Sequence, residues 1–132
     1  MPIQEFDFKT GKVVSYEPRK AIVVDEDDTT RDTLQYTLKR RMVNVVAKLK
    51  NSNGILELLE RNPVDVLFLQ TRSPEMDELR QIRQAYPELQ VVVMSDALTR
   101  ESVNQAVGLG VAGFLAKPFK AETVLSLVER LK

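Results

Sequence analysis

The chain has 132 residues, 43% hydrophobic and 29% charged, enough for one packed domain. Lys+Arg and Asp+Glu each number 19, and this balance argues against a nucleic-acid platform, which carries a basic excess, though not against a small basic patch. Cysteine and histidine are both missing, which removes disulfides, thiolate nucleophiles, the common zinc ligands and the usual general base.

Residues 1–19, opening MPIQEFDFKTGK, mix isolated aromatics with charges and show no helical period and no apolar h-region of a signal peptide. Two readings of this N-terminal arm stay open. It is an ordered or frayed arm, or a short strand or docking peptide built on Phe6, Phe8, Val13 and Val14. From Lys20 to Lys132 the pattern is regular and reads as one domain. AIVV (21–24) is an apolar run ending in acids. TTRDTLQYTLKRR (29–41) predicts a helix, with Asp28 or Thr29 as its cap and Leu34 and Leu38 on one face. VNVVAKL (43–49) is β-branched and predicts a strand. NSNGILELLERN (51–62) predicts a helix opened by capping residues. VDVLFL (64–69) is a buried strand. SPEMDELRQIRQAY (73–86) predicts a helix with Ser73 as N-cap and Pro74 at its first position. LQVVVMS (89–95) is a strand, TRESVNQAVGLG (99–110) a helix ending at glycine, AGFLA (112–116) a strand, and KAETVLSLVERL (120–131) a closing helix.

Strand and helix thus alternate five times, and the strands are apolar throughout, as when helices cover both faces. The expectation is a doubly wound α/β domain with a five-stranded parallel sheet flanked by five helices. No segment nears the ~20 apolar residues that span a bilayer. A cytoplasmic chain is expected, with no membrane contact and no direct nucleic-acid binding.

Ligands of such sheets sit beyond the carboxyl ends of the strands. The first strand brings Asp25, Glu26, Asp27 and Asp28 there, the third Gln70, the fourth Ser95 and Asp96, and the fifth Lys117 before Pro118. Neither GxGxxG nor GxxxxGK[ST] follows the first strand, so a dinucleotide or P-loop site is not expected. Asp27 and Asp28 read as helix caps, whereas Asp25 and Glu26 suit a hard cation such as Mg²⁺. Lys117 is a point cation, able to meet a phosphoryl group or the acids.

The segments IVVDED, PVDVLFLQ…P.MD, VVVMSD and GVAGFLAKPF occur in the order and spacing of the receiver domains of bacterial response regulators, and the chain from Lys20 onward resembles that family. The resemblance implies a flavodoxin-like sheet of order 2-1-3-4-5. In that family an acid pair binds Mg²⁺ and an aspartate on the third strand accepts a phosphoryl group from a histidine kinase. A Ser/Thr and a Lys contact that group, and an aromatic on the fifth strand switches with the activation state. Carried over, Asp25 and Glu26 match the acid pair, Ser95 the hydroxyl, Phe114 the switch aromatic and Lys117 the lysine.

Gln70 occupies the phosphoacceptor position. An amide has no anionic oxygen to attack phosphorus. Two further departures point the same way. Ser73, Pro74 and Glu75 are expected to start the third helix early and shorten the loop beside the site. Asp96 stands where the family keeps a small residue, although it can also serve as a helix cap. The resemblance therefore implies a degenerate pseudo-receiver: no enzyme, no required cofactor, at best weak Mg²⁺ at Asp25 and Glu26, and signalling through protein contacts. The expected contact face spans residues 100–131, toward a protein partner, an attached output domain or a second copy. On it Val103, Val107, Val124 and Leu127 are expected in the core and Arg100, Asn104, Lys120 and Arg130 outside. Lys117 is expected to pair with Asp25 or Glu26, with Gln70 hydrogen-bonded in the same cluster. The alternatives are phosphorylation at a non-standard residue, of which Asp96 is the plausible one, and a pocket remade for a small molecule.

Overall fold

The computed structural model describes residues 3–16, 18–71 and 76–132. A short antiparallel hairpin, β1 (Ile3–Asp7) and β2 (Lys12–Tyr16), precedes a regular alternation: β3 (Arg19–Val24), α1 (Asp28–Lys39), β4 (Val43–Leu49), α2 (Ile55–Arg61), β5 (Val66–Gln70), α3 (Asp77–Ala85), β6 (Gln90–Ser95), α4 (Arg100–Gly108), β7 (Gly113–Ala116) and α5 (Ala121–Arg130). The last five strands form one parallel sheet in the order β4-β3-β5-β6-β7. Numbering only the parallel strands, this is the expected 2-1-3-4-5. The order reverses between β3 and β5, so their carboxyl ends flank the crevice where such sheets place their chemistry.

Alternate residues of the buried strands feed two cores. Ala21, Val23, Val66 and Phe68 face one cluster with Leu34 and Leu38 of α1 and Val124, Leu127 and Val128 of α5. Ile22, Val24, Leu67 and Leu69 face the other, with Ile55 and Leu59 of α2, Leu79 and Ile82 of α3 and Ala106 of α4. Each such side chain, once fully buried, contributes roughly 1.5–3 kcal/mol by leaving water. Helix α5 lies so close on β7 that a Cβ at Gly113 would stand 2.8 Å from Leu127 Cδ1, which accounts for glycine there. On the edge strand β4 the register slips between Val45 and Ala47, leaving Val46 as the extra residue of a bulge, 41% exposed. The bulge keeps Val43 and Val45 on one core while Ala47 and Leu49 reach the other.

Several boundaries depart from the sequence expectation. Of the cap candidates for α1, Asp27 is the one that caps it, and Asp28 and Thr29 are not: the Asp27 carboxylate accepts the Thr29 N–H and the Thr30 hydroxyl. Residues 51–53 precede α2 rather than open it, and Gly54 is its N-cap, without a side-chain hydrogen bond. Asn51 Oδ1 accepts the Asn53 N–H, and the helix starts after Gly54, whose φ of 74° suits only a residue without Cβ strain. Helix α3 starts at Asp77, preceded by Met76 in a non-helical conformation, later than expected. Ser73, Pro74 and Glu75 lie outside the described residues. The cap of α4 is Thr99, paired with Ser102 in a capping box, so Asp96 does not serve as that cap. Val107 is not in the core. Helix α4 turns Ser102 and Ala106 inward, one turn apart, and Val107, about 100° further round, is 59% exposed. Val124 and Leu127 are buried as expected.

Of the two readings of the arm, the strand is the one observed. Phe6 stands opposite Val13, the turn holds Gly11 at φ 69°, and the ribbon is a sheet separate from the five-stranded one.

Candidate functional site

The crevice is organised around Asp25, which follows the last residue of β3 and is fully buried. Its backbone N–H donates to Leu49 O across the strand pair. Its carbonyl accepts from Arg31 Nη1 at 2.6 Å. Its carboxylate takes Lys117 Nζ at 3.0 Å from both oxygens, and Oδ1 also accepts the Asp27 N–H at 2.9 Å. Lys117 can reach because β7 ends beside β6, where its N–H donates to Ser95 O. With Asp25 at 0% and Lys117 at 14% side-chain exposure, the pair sits in low dielectric. Its formation offsets the desolvation of both ions, so losing one partner leaves an uncompensated charge.

Gln70 ends β5, next to β3. Its Oε1 accepts the Glu26 N–H at 2.9 Å, and its Nε2 donates to Glu26 Oε1 at 3.4 Å. The amide uses both its acceptor and its donor on one residue, a role that a carboxylate, which accepts only, could not fill in both directions. The expected cluster is thus two linked pairs, Lys117 with Asp25 and Gln70 with Glu26.

Ser95 is buried, and its hydroxyl accepts the Ala97 N–H at 3.0 Å, closing a local turn. Asp96 is exposed and shares with Asp27, Thr30 and Lys117 the wall of a cavity of about 370 Å³. Phe114 is half-buried against the core beneath α4. On the other side of Gln70 a larger cleft of about 690 Å³ opens between the ends of β3, β4 and β5, walled by Lys50, Ser52, Asp77 and Glu78.

The Asp27 carboxyl is held below the usual carboxylate range, chiefly by the Thr30 hydroxyl, with the Thr29 and Thr30 backbone N–H groups and the Lys117 charge adding to it against a desolvation cost. Asp32 is lowered by its hydrogen bond and ion pair with Lys48.

Two contributors were missed in the sequence. Arg31 lies one turn into α1, almost buried, and bridges the Asp25 carbonyl and the Asp28 carboxylate. Thr30 completes the Asp27 cap. Their positions after a run of four acids were the available signal, but a helix N-terminus made acidic by caps hides a cation that serves the strand end.

The fit to a divalent cation is poor. Both oxygens of Asp25 are taken by an ammonium, and among the described residues no group of three or more His, Cys, Asp or Glu stands together as a metal site. A hard cation needs several oxygen ligands at once.

The chain matches the response regulator receiver domain family over residues 21–129. It is 31% identical over 111 residues to the DNA-binding transcriptional regulator NtrC of Proteus hauseri, covering 82% of this chain and 23% of that protein. It is 25% identical over 114 residues to the chemotaxis protein CheY of Bacillus subtilis, covering 84% of this chain and 95% of that one. In structure it is similar to a response regulator from Thermotoga maritima, with a TM-score of 0.79 at 24% identity, over 87% of this chain and 98% of the other. The chain spans about a quarter of the length of the NtrC relatives it matches. Its parallel sheet in receiver order and its match across residues 21–129 together place it: the chain belongs to the response regulator receiver domain family of two-component signal transduction.

Proposed function

We propose that this receiver works without aspartyl phosphorylation. It signals through protein contacts in the cytoplasm and catalyses nothing. The observation that carries the reading is Gln70 at the end of β5, hydrogen-bonded in both directions to Glu26. The phosphoacceptor position offers no nucleophilic carboxylate, and the lysine that would meet a phosphoryl oxygen is committed to buried Asp25. Ser95 accepts the Ala97 N–H within its own turn. This network supports one fixed state, resembling an unphosphorylated receiver, with Mg²⁺ bound weakly or not at all.

The contact surface in this reading is the α4–β7–α5 face. Arg100, Asn104, Lys120 and Arg130 are exposed there, and Val107 adds an apolar point. The partner is a protein or an output domain joined to the same polypeptide, an arrangement suggested by relatives about four times longer.

The test is incubation of the chain with acetyl phosphate and Mg²⁺, read by intact mass and peptide mapping. No phosphoryl adduct is expected. An adduct on Asp96, the exposed carboxylate beside Lys117, would replace this reading with phosphorylation at a non-standard residue. A second reading is favoured by the 690 Å³ cleft beside Gln70, which is of ligand-binding size and lined by both signs of charge. A small polar ligand there would shift the Gln70 and Lys50 amide resonances without any covalent change.

A further inference from the structure

At the amino edge of the parallel sheet, opposite the site just described, lies a second cavity of about 670 Å³. Its floor and walls include Leu59, Pro63, Tyr86, Pro87 and Leu89. Arg19, the first residue of β3, forms part of its mouth. The β1–β2 hairpin is rooted at the same place, since only Glu17 and Pro18 separate the end of β2 from Arg19.

The hairpin carries an apolar face with no cover. Phe6 and Val13 are cross-strand partners and therefore share a face. The Phe8 ring stacks edge-on against Phe6, with centroids 4.9 Å apart. Phe6 is 49% exposed, Val13 62% and Phe8 89%. A two-stranded ribbon alone is marginally stable in water, so this one needs a surface to lie on.

We propose that each hairpin docks in the amino-edge cavity of a second copy, so that two copies exchange arms around a two-fold axis near Arg19. Three features select a second copy over the chain's own cavity. The link is two residues long, and Pro18 fixes one of its dihedrals, which limits how far the ribbon can fold back over a cavity that begins at its own root. Root and cavity are adjacent, so a two-fold axis there brings each arm to the other copy's cavity and closes the assembly. The areas also agree. At 150–250 Å² per aromatic, the exposed parts of Phe6, Phe8 and Val13 come to roughly 400 Å² per arm, so two arms and the cavity walls they cover bury about 1,200 Å², the lower end of the range for a specific interface.

Charge adds register. Lys9 in the hairpin turn and Lys12 at the start of β2 stand near the aromatic pair, and exposed Glu60 and Glu88 line the cavity together with Arg19 and Lys132. Rim pairs of this kind orient a complex more than they tighten it. The interface lies on the opposite sheet edge from the crevice and needs neither Gln70 nor Lys117, so it stands or falls separately from the function proposed above.

Sedimentation velocity across micromolar concentrations of the chain should show a monomer–dimer equilibrium. Phe6→Ser with Phe8→Ser should weaken the dimer at least tenfold. Ala85→Arg, which puts a long charged side chain at the cavity mouth from an exposed position at the end of α3, should do the same. Both changes are on exposed positions, and an unaltered thermal melt confirms that the fold is intact. Because the chain holds no cysteine, a mixture of Phe8→Cys and Glu60→Cys chains provides an unambiguous crosslink. The mixed disulfide should form between copies and be identified by its mass. A monomer at every concentration, a dimer unchanged in both variants, or a crosslink that forms only inside a chain carrying both cysteines would each overturn the proposal.

Discussion

At the carboxyl edge of the sheet, Asp25 is fully buried, and its carboxylate, N–H and carbonyl are all hydrogen-bonded to neighbours. At the amino edge, Arg19 leads back to a ribbon whose Phe8 is 89% exposed. One edge spends polar side chains on one another until none of its buried polar atoms lacks a partner among the described residues. The other leaves aromatic surface in water. In a receiver fold the carboxyl edge is where input is read. Here its buried acid is paired within the edge, and the exposed aromatic surface lies elsewhere. Polar satisfaction fixes a conformation, whereas uncovered apolar area calls for a partner.

The largest effect should come from breaking the closed edge at its ion pair. Lys117→Met leaves the Asp25 carboxylate buried and unpaired, and should cost about 3–5 kcal/mol in urea unfolding. Adding Asp25→Asn to that variant should recover most of the loss, because no charge is then stranded. If Lys117→Met proves neutral, the pair is not holding the edge.

A smaller loss, about 1 kcal/mol, is expected for Gln70→Ala, which removes the acceptor for the Glu26 N–H at a site water can reach. Gln70→Asp sharpens the same point. It returns a carboxylate to β5 but leaves Lys117 on Asp25 and a carboxylate at Asp96, so it alone should not restore phosphorylation by acetyl phosphate. A phosphoryl adduct on that variant would show that Gln70 is the sole block.

Acid should loosen the same edge. Asp27 and Asp32 have folded pKa values below their ordinary value of 3.8, so the stability they contribute is complete above the ordinary carboxylate range. It is lost as pH falls below that value and through the lowered folded values. Melting temperatures followed from neutral pH into this range should fall, and Thr30→Val, which removes the hydrogen bond that lowers Asp27 most, should flatten part of the fall. The smallest effect belongs to the other edge. Phe8→Ser should change the unfolding free energy of the monomeric domain by less than about 0.5 kcal/mol, as for other exposed positions.

Much of this was legible in the sequence, for identifiable reasons. Strand β4 falls at the expected residues 43–49 because a β-branched run between polar stretches has few alternatives. A pairing of Lys117 with Asp25 or Glu26 was legible because parallel topology brings the carboxyl ends of the strands together. The failures are local. Asn51 to Asn53 looked like caps, yet the Asn51 side chain holds a turn before α2, and Gly54 at positive φ takes the N-cap position. Val107 looked like core because valine is apolar, but Ser102 and Ala106 define the buried stripe of α4. The cap of α1 was left open among Asp27, Asp28 and Thr29, since composition cannot choose within four consecutive acids. A short strand was one of two open readings of the arm, and its pairing as a hairpin was not read, since the turn, FKTG, lacks the Asn-Gly or Asp-Gly that marks a tight hairpin.

The central claim is that the carboxyl edge is closed to a phosphoryl group. Its most direct test is a titration of the chain with beryllofluoride and Mg²⁺, followed through the backbone amide resonances of Ser95, Phe114 and Lys117. The account predicts that these resonances do not move beyond what Mg²⁺ alone produces. Saturable shifts at Ser95 and Lys117 would show that Lys117 leaves Asp25 for the phosphoryl mimic, and would contradict it.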